Sequence, residues 1–209
     1  MPRGQAPLDA SLATRYALGV EMSPEEIAAV LLGLVNVVLV VRRSIWNYPF
    51  GLAMVALYAW IFLGAKLYSD ALLQIFFFVV QLYGWMNWSR SRADTGEVQV
   101  LLLGARDWWA VLLATTIASA LWGLLMHTIT DAHYPWWDGS VAMISIAAQL
   151  LQSRRYLQSW YLWIAADVIA IPLFALKDLQ MTAALYGVFL LLCLVGLAEW
   201  RRAVRRAAA

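Results

Sequence analysis

Charge is scarce in this chain. Only 13% of its 209 residues are Asp, Glu, Lys or Arg, while 63% are hydrophobic and the mean hydropathy is +0.69. Soluble domains hold about 45–50% apolar residues by comparable counting. A water-facing surface cannot be built from so few charges, so the main solvent is a bilayer. Cysteine is nearly missing: Cys193 alone excludes a disulfide within the chain and argues against a metal cluster. The two histidines, His127 and His133, fall in one loop and read as surface residues, so neither a metal nor a cofactor is expected. No G-x-x-x-x-G-K-[ST] phosphate cradle and no H-E-x-x-H pair occurs. The loops are too short for a soluble catalytic domain, which makes an enzyme the weaker reading. A net charge of +2 gives no reason to expect nucleic acid. Residues 1–22 hold no continuous apolar core, so they read as a polar tail rather than a cleavable signal peptide.

What is present is a series of long apolar runs. A helix crossing the hydrocarbon core needs about 20 apolar residues. "SPEE" opens the first, with Ser23 as cap, Pro24 at the first helical position and Glu26 closing a capping box. The spans expected are 24–41, 46–63, 69–88, 108–126, 138–152, 159–176 and 181–200. A polar loop, 89–107, precedes the fourth span, and a basic tail, 201–209, follows the last. With the N-terminus outside, the inner segments hold Arg42, Arg43, Arg90, Arg92, Arg106, Arg154, Arg155, Arg201, Arg202, Arg205 and Arg206. The outer ones hold Arg3, Arg15, Lys66 and Lys177. The loop before the fifth span carries Asp131 and Asp138 and no Lys or Arg. Positive residues favour the cytoplasmic side, so the N-terminus is expected outside and the C-terminus inside.

A shift of 112 positions lays Arg42-Arg43 on Arg154-Arg155, Gly84 on Gly196 and Trp88 on Trp200, with apolar matches between them. Spans one to three, 24–88, therefore repeat as spans five to seven, 138–200. Both units enter from the same side, and the fourth span inverts the chain between them. The fold class expected is all-α and integral to the membrane, with seven transmembrane helices in a 3+1+3 parallel repeat. Transporters of this plan place their substrate near mid-membrane between the repeats.

Polar groups at membrane depth are costly and mark candidate sites. They are Asn36, Gln74, Gln81, Gln149 and Asp167. Gln74, Gln81, Trp85 and Trp88 fall on one stripe of the third span; Trp160, Trp163 and Asp167 share a stripe of the sixth. Facing each other, these stripes would wall a cavity for a flat, polar, cationic ring: indoles stack on it, amides read its edge and an acid offsets its charge. Two blander readings use the same residues. Trp46, Trp85, Trp88, Trp108, Trp109, Trp160, Trp163 and Trp200 fit an inner aromatic belt, with Trp136 and Trp137 in an outer one. The amides fit hydrogen-bonding glue in a membrane scaffold subunit that transports nothing.

The segment "WNYPFGLAMVALYAWIFLGAKLYSDALLQIFFFVVQLYGWMNW" (46–88) resembles the PnuC family of bacterial vitamin transporters, as does "YPWWDGSVAMISIAAQLLQSRRYLQSWYLWIAADVIAIPLFALKDL" (134–179). The most specific parts are Asn47-Tyr48 with Gly51, Leu67-Tyr68, "LLQ" before "FFF", "YGWxxW", Trp137-Asp138 and the Trp160–Trp163 pair. The resemblance implies a seven-helix homotrimer, related in architecture to the eukaryotic SWEET carriers. It implies facilitated diffusion across the inner membrane, for the best-known members of nicotinamide riboside, trapped after entry by a cytosolic kinase. Other members move thiamine, riboflavin or deoxynucleosides. Thiamine is also a flat cation, so the residues alone do not separate the two. The candidate substrate-binding residues are Asn47, Gln74, Gln81, Trp85, Trp88, Gln149, Trp160, Trp163 and Asp167. The expected arrangement has Trp85 and Trp163 sandwiching the ring, Gln81 reading its amide and Asp167 facing its charge or the ribose hydroxyls.

Overall fold

The computed structural model describes residues 23–64, 68–130 and 134–207. The polar tail, Lys66, Leu67, Asp131 and His133 lie outside the described residues. Seven helices account for nearly everything else: α1 Pro24–Val41, α2 Asn47–Gly64, α3 Tyr68–Thr95, α4 Ala105–Ile129, α5 Pro135–Ser153, α6 Ser159–Leu176 and α7 Gln180–Ala207. Six are long and apolar enough to cross a membrane. The exception is α5, whose apolar run is diluted by Asp138, Ser140, Gln149 and Gln152.

The expected capping box at α1 is present. Ser23 Oγ accepts from the Glu26 N–H at 3.2 Å, and the Ser23 N–H donates to Glu26 Oε2 at 2.7 Å. The expected loop 89–107 and tail 201–209 are shorter than the sequence suggested. Helix α3 runs two turns further, to Thr95, because no breaker occurs before Gly96, whose φ of 79° ends it. Helix α7 runs to Ala207, because the Arg and Ala of "RRAVRR" are strong helix formers. Helix α5 begins at Pro135, where a first-turn proline loses no hydrogen bond.

The helices pack in the order α1, α2, α3, α5, α6, α7 and back to α1, which closes a ring of six. Helix α4 stands outside it against α5 and reaches α6 through Trp108 and Tyr161, whose rings are 6.2 Å apart. The two halves of the ring obey the 112-position shift in detail. The α1–α2 turn has Arg43 at φ 55°, with the Ser44 N–H donating to Leu39 O at 2.9 Å. The α5–α6 turn has Arg155 at φ 67°, with the Tyr156 N–H donating to Leu151 O at 3.0 Å. Both are left-handed helix ends of the Schellman type, with arginine where glycine is usual.

The halves are stapled crosswise. Trp88 of α3 donates its indole N–H to the Gln152 carbonyl of α5 at 3.0 Å, and Trp200 of α7 donates to the Val40 carbonyl of α1 at 3.2 Å. Those residues are related by the same shift. Trp88 and Trp200 meet across the ring at 5.7 Å. Tyr48 stands edge-on to Trp88 at 5.5 Å, and its counterpart Trp160 stands edge-on to Trp200 at 5.5 Å. These four rings form a buried plug at the end of the ring where the basic residues gather. At the other end Lys177, at the close of α6, pairs with both carboxyl oxygens of Asp138 at 2.7 Å.

The belt reading therefore divides. Trp46 and Trp109 are well exposed, as belt residues should be, but Trp88, Trp160 and Trp200 are almost fully buried. A belt indole must reach the headgroup region; these three point inward, where their ring area fills the plug.

The plug needs glycine beside it. A Cβ at Gly84 would lie 2.6 Å from the Tyr48 hydroxyl, and one at Gly196 would press into the Trp160 ring. Overpacking of this kind costs about 1–3 kcal/mol. Gly84→Ala and Gly196→Ala are expected to lower the melting temperature of the detergent-purified protein by similar amounts. Gly187→Ala, with open space at its Cβ, should leave it unchanged or raise it.

Candidate functional site

Gln81 lies two turns before Trp88 on α3, and Cys193 two turns before Trp200 on α7. Asp167 lies two turns beyond Trp160 on α6. Two turns are about 11 Å of rise, so these side chains form a layer one step above the plug. The two repeats furnish it differently. On the first side Gln81 packs its amide against Gly51 of α2, where a Cβ would also meet Asn36 Oδ1 of α1 at 3.1 Å. Gly51 has no side chain, and Gln81 occupies the space that one would fill. On the second side the Cys193 thiol lies close to the Asp167 carboxyl. Gln81 and Asp167 are each only 4% exposed. Two buried acceptors in this layer, Asn36 Oδ1 and Asp167 Oδ2, have no hydrogen-bond partner. An unsatisfied buried group costs about 1–3 kcal/mol, so a layer that keeps two acceptors free is suited to receive donors.

The other expected site residues divide by surroundings. Trp85 lies parallel to Tyr48, with ring centroids 6.4 Å apart, so one indole face is already covered. Trp163 donates its indole N–H to Gln152 Oε1 at 2.6 Å and packs beside the plug. A sandwich between these two would use the free face of Trp85; no ring contact joins them among the described residues. Trp88 and Trp160 are held in the plug. Asn47 is buried at the start of α2 and donates to the Ser44 carbonyl at 2.6 Å, which makes it a turn-stabilising group here. Gln74 lines a groove of about 310 Å³ on the outer surface between α2 and α3, with Val55, Ala59 and Trp60. Gln149 is half-buried on α5. The structure thus brings Gln81 and Asp167 into the same layer. It gives Gln74 and the plug indoles other surroundings. The groove beside Gln74 and a second one between α1 and α7 are lined by none of Gln81, Trp85, Trp163 and Asp167, and Gln81 and Asp167 are packed in on all sides.

Gln152 was missed in the sequence. Its carbonyl receives Trp88 and its side chain receives Trp163, so one residue of α5 links α3 to α6. Its position at the polar end of a short span made it look like a boundary residue. His127 packs against Trp136 at 6.4 Å, and no group of three metal-ligating side chains gathers among the described residues.

A ring of membrane-length helices with a polar layer inside defines the class: a multi-pass all-α membrane protein built on two parallel three-helix repeats. The family model described as "Nicotinamide mononucleotide transporter" matches residues 23–202. The nicotinamide riboside transporter PnuC of Escherichia coli (strain K12) is 30% identical over 90% of this chain and 89% of its own length. That of Neisseria mucosa is 32% identical over 85% of this chain and 72% of its own. The riboflavin/roseoflavin transporter RibM of Streptomyces davaonensis is 27% identical over 84% of each. A crystal structure of the vitamin B3 transporter PnuC superposes with a TM-score of 0.71 at 27% identity, covering 97% of this chain and 94% of the other. The chain belongs to the PnuC family of nicotinamide riboside transporters, and so to the transporters rather than the enzymes.

Trp163 and Gln152 invite a double-mutant cycle. With Trp163→Phe and Gln152→Leu, the stability loss of the pair should fall short of the summed single losses by about 1 kcal/mol. Thermal or denaturant unfolding in detergent measures it; strict additivity would mean that the 2.6 Å bond contributes nothing.

Proposed function

We propose that this chain carries nicotinamide riboside across the bacterial inner membrane by facilitated diffusion. The observation that carries this reading is the polar layer: two unpartnered buried acceptors, Asn36 Oδ1 and Asp167 Oδ2, in a ring whose apolar spans hold no Lys or Arg. Ribose hydroxyls and a carboxamide NH2 are donors that suit these acceptors. A pyridinium cation suits the Asp167 carboxylate. The family's description names the mononucleotide, but a phosphate would enter this layer facing an acid and no cation. Like-charge contact in a dry site is strongly unfavourable. The same argument supports trapping: once a cytosolic kinase adds a phosphate, the product no longer fits the layer it came through.

In this reading Gln81 reads the carboxamide, Asp167 faces the charge or the ribose, and the free face of Trp85 stacks on the ring. The double-arginine turns and the basic end of α7 lie at the plug end. The positive-inside bias then makes the plug cytoplasmic, with the N-terminus outside. The two repeats rock about the layer, and the crossed indole bonds open when the inner side does. Transport without ion coupling needs similar binding in both orientations. Assembly as a homotrimer would draw on the exposed apolar face of α4, with Trp109, Leu113, Ile117 and Leu121.

Titration of the purified protein with nicotinamide riboside is the direct test. Gln81→Ala and Asp167→Asn should each weaken binding about tenfold or more, the effect of losing one buried polar contact; unchanged affinity in both removes the site assignment. A nicotinamide riboside auxotroph that has the kinase should grow on low substrate when it expresses the chain. A thiamine auxotroph run alongside should not be rescued. Rescue of thiamine growth alone would reassign the vitamin, and rescue of neither would favour the scaffold reading.

A further inference from the structure

The pseudo-symmetry of the ring breaks at its seams as well as in the polar layer. At the α3–α5 seam Asn87 donates to the Ser153 carbonyl at 2.9 Å and bridges the two helices. Nearby, the segment 97–104 lies along the α5–α6 turn, with Leu101 paired to Tyr156 and its neighbours through bonds of 2.9 Å. At the equivalent α1–α7 seam the counterpart of Asn87 is Glu199, which turns away to Arg202 at 2.6 Å. A groove of about 310 Å³ stays open there, lined by Val41, Arg42, Arg43, Val195, Glu199, Ala203 and Arg206. Arg43 is tied to the Val98 carbonyl at 3.1 Å and to Glu97 at 3.4 Å. Arg42 and Arg206 are exposed and have no partner among the described residues. In the matching seam the counterpart of Arg42 is Arg154 but that of Arg206 is Asp94, so the pair of arginines belongs to one seam only.

We propose that this groove binds the headgroup of an anionic phospholipid. Two free guanidinium groups on the rim supply the paired donors that a phosphate diester takes. The floor is apolar at Val41 and Val195. From Val195 the exposed side chains of Leu191 and Val188 continue along one face of α7 away from the basic end, a track for an acyl chain. Basic pockets between membrane helices recognise acidic headgroups by this combination. A free phosphate would use the rim and ignore the track, so the combination points to a lipid. The groove is separate from the polar layer and does not depend on which vitamin is carried.

The test is a lipid titration of the full chain in neutral detergent, following the melting midpoint. Phosphatidylglycerol should raise it more than phosphatidylcholine does. Arg42→Gln with Arg206→Gln should weaken the apparent affinity for phosphatidylglycerol about ten- to thirtyfold. Arg90→Gln with Arg92→Gln, the same charge removed elsewhere, should leave it unchanged. Ala203→Trp should block the groove with every charge kept. The proposal fails if the two lipids act alike, if the Arg90 and Arg92 pair loses the effect equally, or if Ala203→Trp keeps it. It also fails if glycerol phosphate alone reproduces the shift.

Discussion

The structure depends on a pair of crossed hydrogen bonds. Lipid offers no hydrophobic drive between helices, so association rests on close packing and on polar contacts between them. Helices end with carbonyls that have no intrahelical donor. Val40 and Gln152 carry such carbonyls near the ends of α1 and α5. Each accepts one N–H from its own turn, from Arg43 or Arg155 at 2.9 Å, and one indole N–H from the opposite repeat. The two indole bonds joining the halves at the plug are twins, so the ring closes with both halves in the same orientation. The glycines at 84 and 196 follow from this constraint, because the plug rings lie directly against them.

A symmetric frame makes its asymmetries informative. Under the same shift, Gln81 corresponds to Cys193, Gly51 to Trp163 and Val55 to Asp167. One half presents amides and the other an acid, a thiol and an indole. A substrate with a carboxamide at one end and a cationic ring joined to a ribose is asymmetric in the corresponding way. The seams differ as well: Asn87 closes one, and Glu199 leaves the other open to the bilayer.

Much of this was legible in the sequence because the repeat is spelled in residues that are rarely interchangeable. Arg-Arg, Gly and Trp recur at one offset, and in the structure they form the turns, the close approaches and the plug. The spans were legible because lipid demands long apolar helices. The surroundings of the tryptophans were not. Spacing places Trp88 and Trp85 on one stripe of α3, yet Trp88 lies buried in the plug while Trp85 is partly exposed beside Tyr48. Which neighbour covers an indole is decided by helices far away in the chain, and periodicity carries no record of that. Gln152 was hidden for the same reason, since both of its indole partners come from other helices. The polar layer lay between these cases: Gln81 and Asp167 stood out by cost, whereas the fit of Gln81 against Gly51 needed the fold.

The central claim is that a phosphate-free, cationic nucleoside passes through a ring whose polar layer contains an acid and no cation. Counterflow in proteoliposomes made from the purified chain and lipid tests it most directly. Vesicles loaded with unlabelled nicotinamide riboside should take up the labelled compound rapidly, while the same vesicles exclude labelled nicotinamide mononucleotide. Exchange of the mononucleotide at a comparable rate, or no exchange of the riboside, would contradict it.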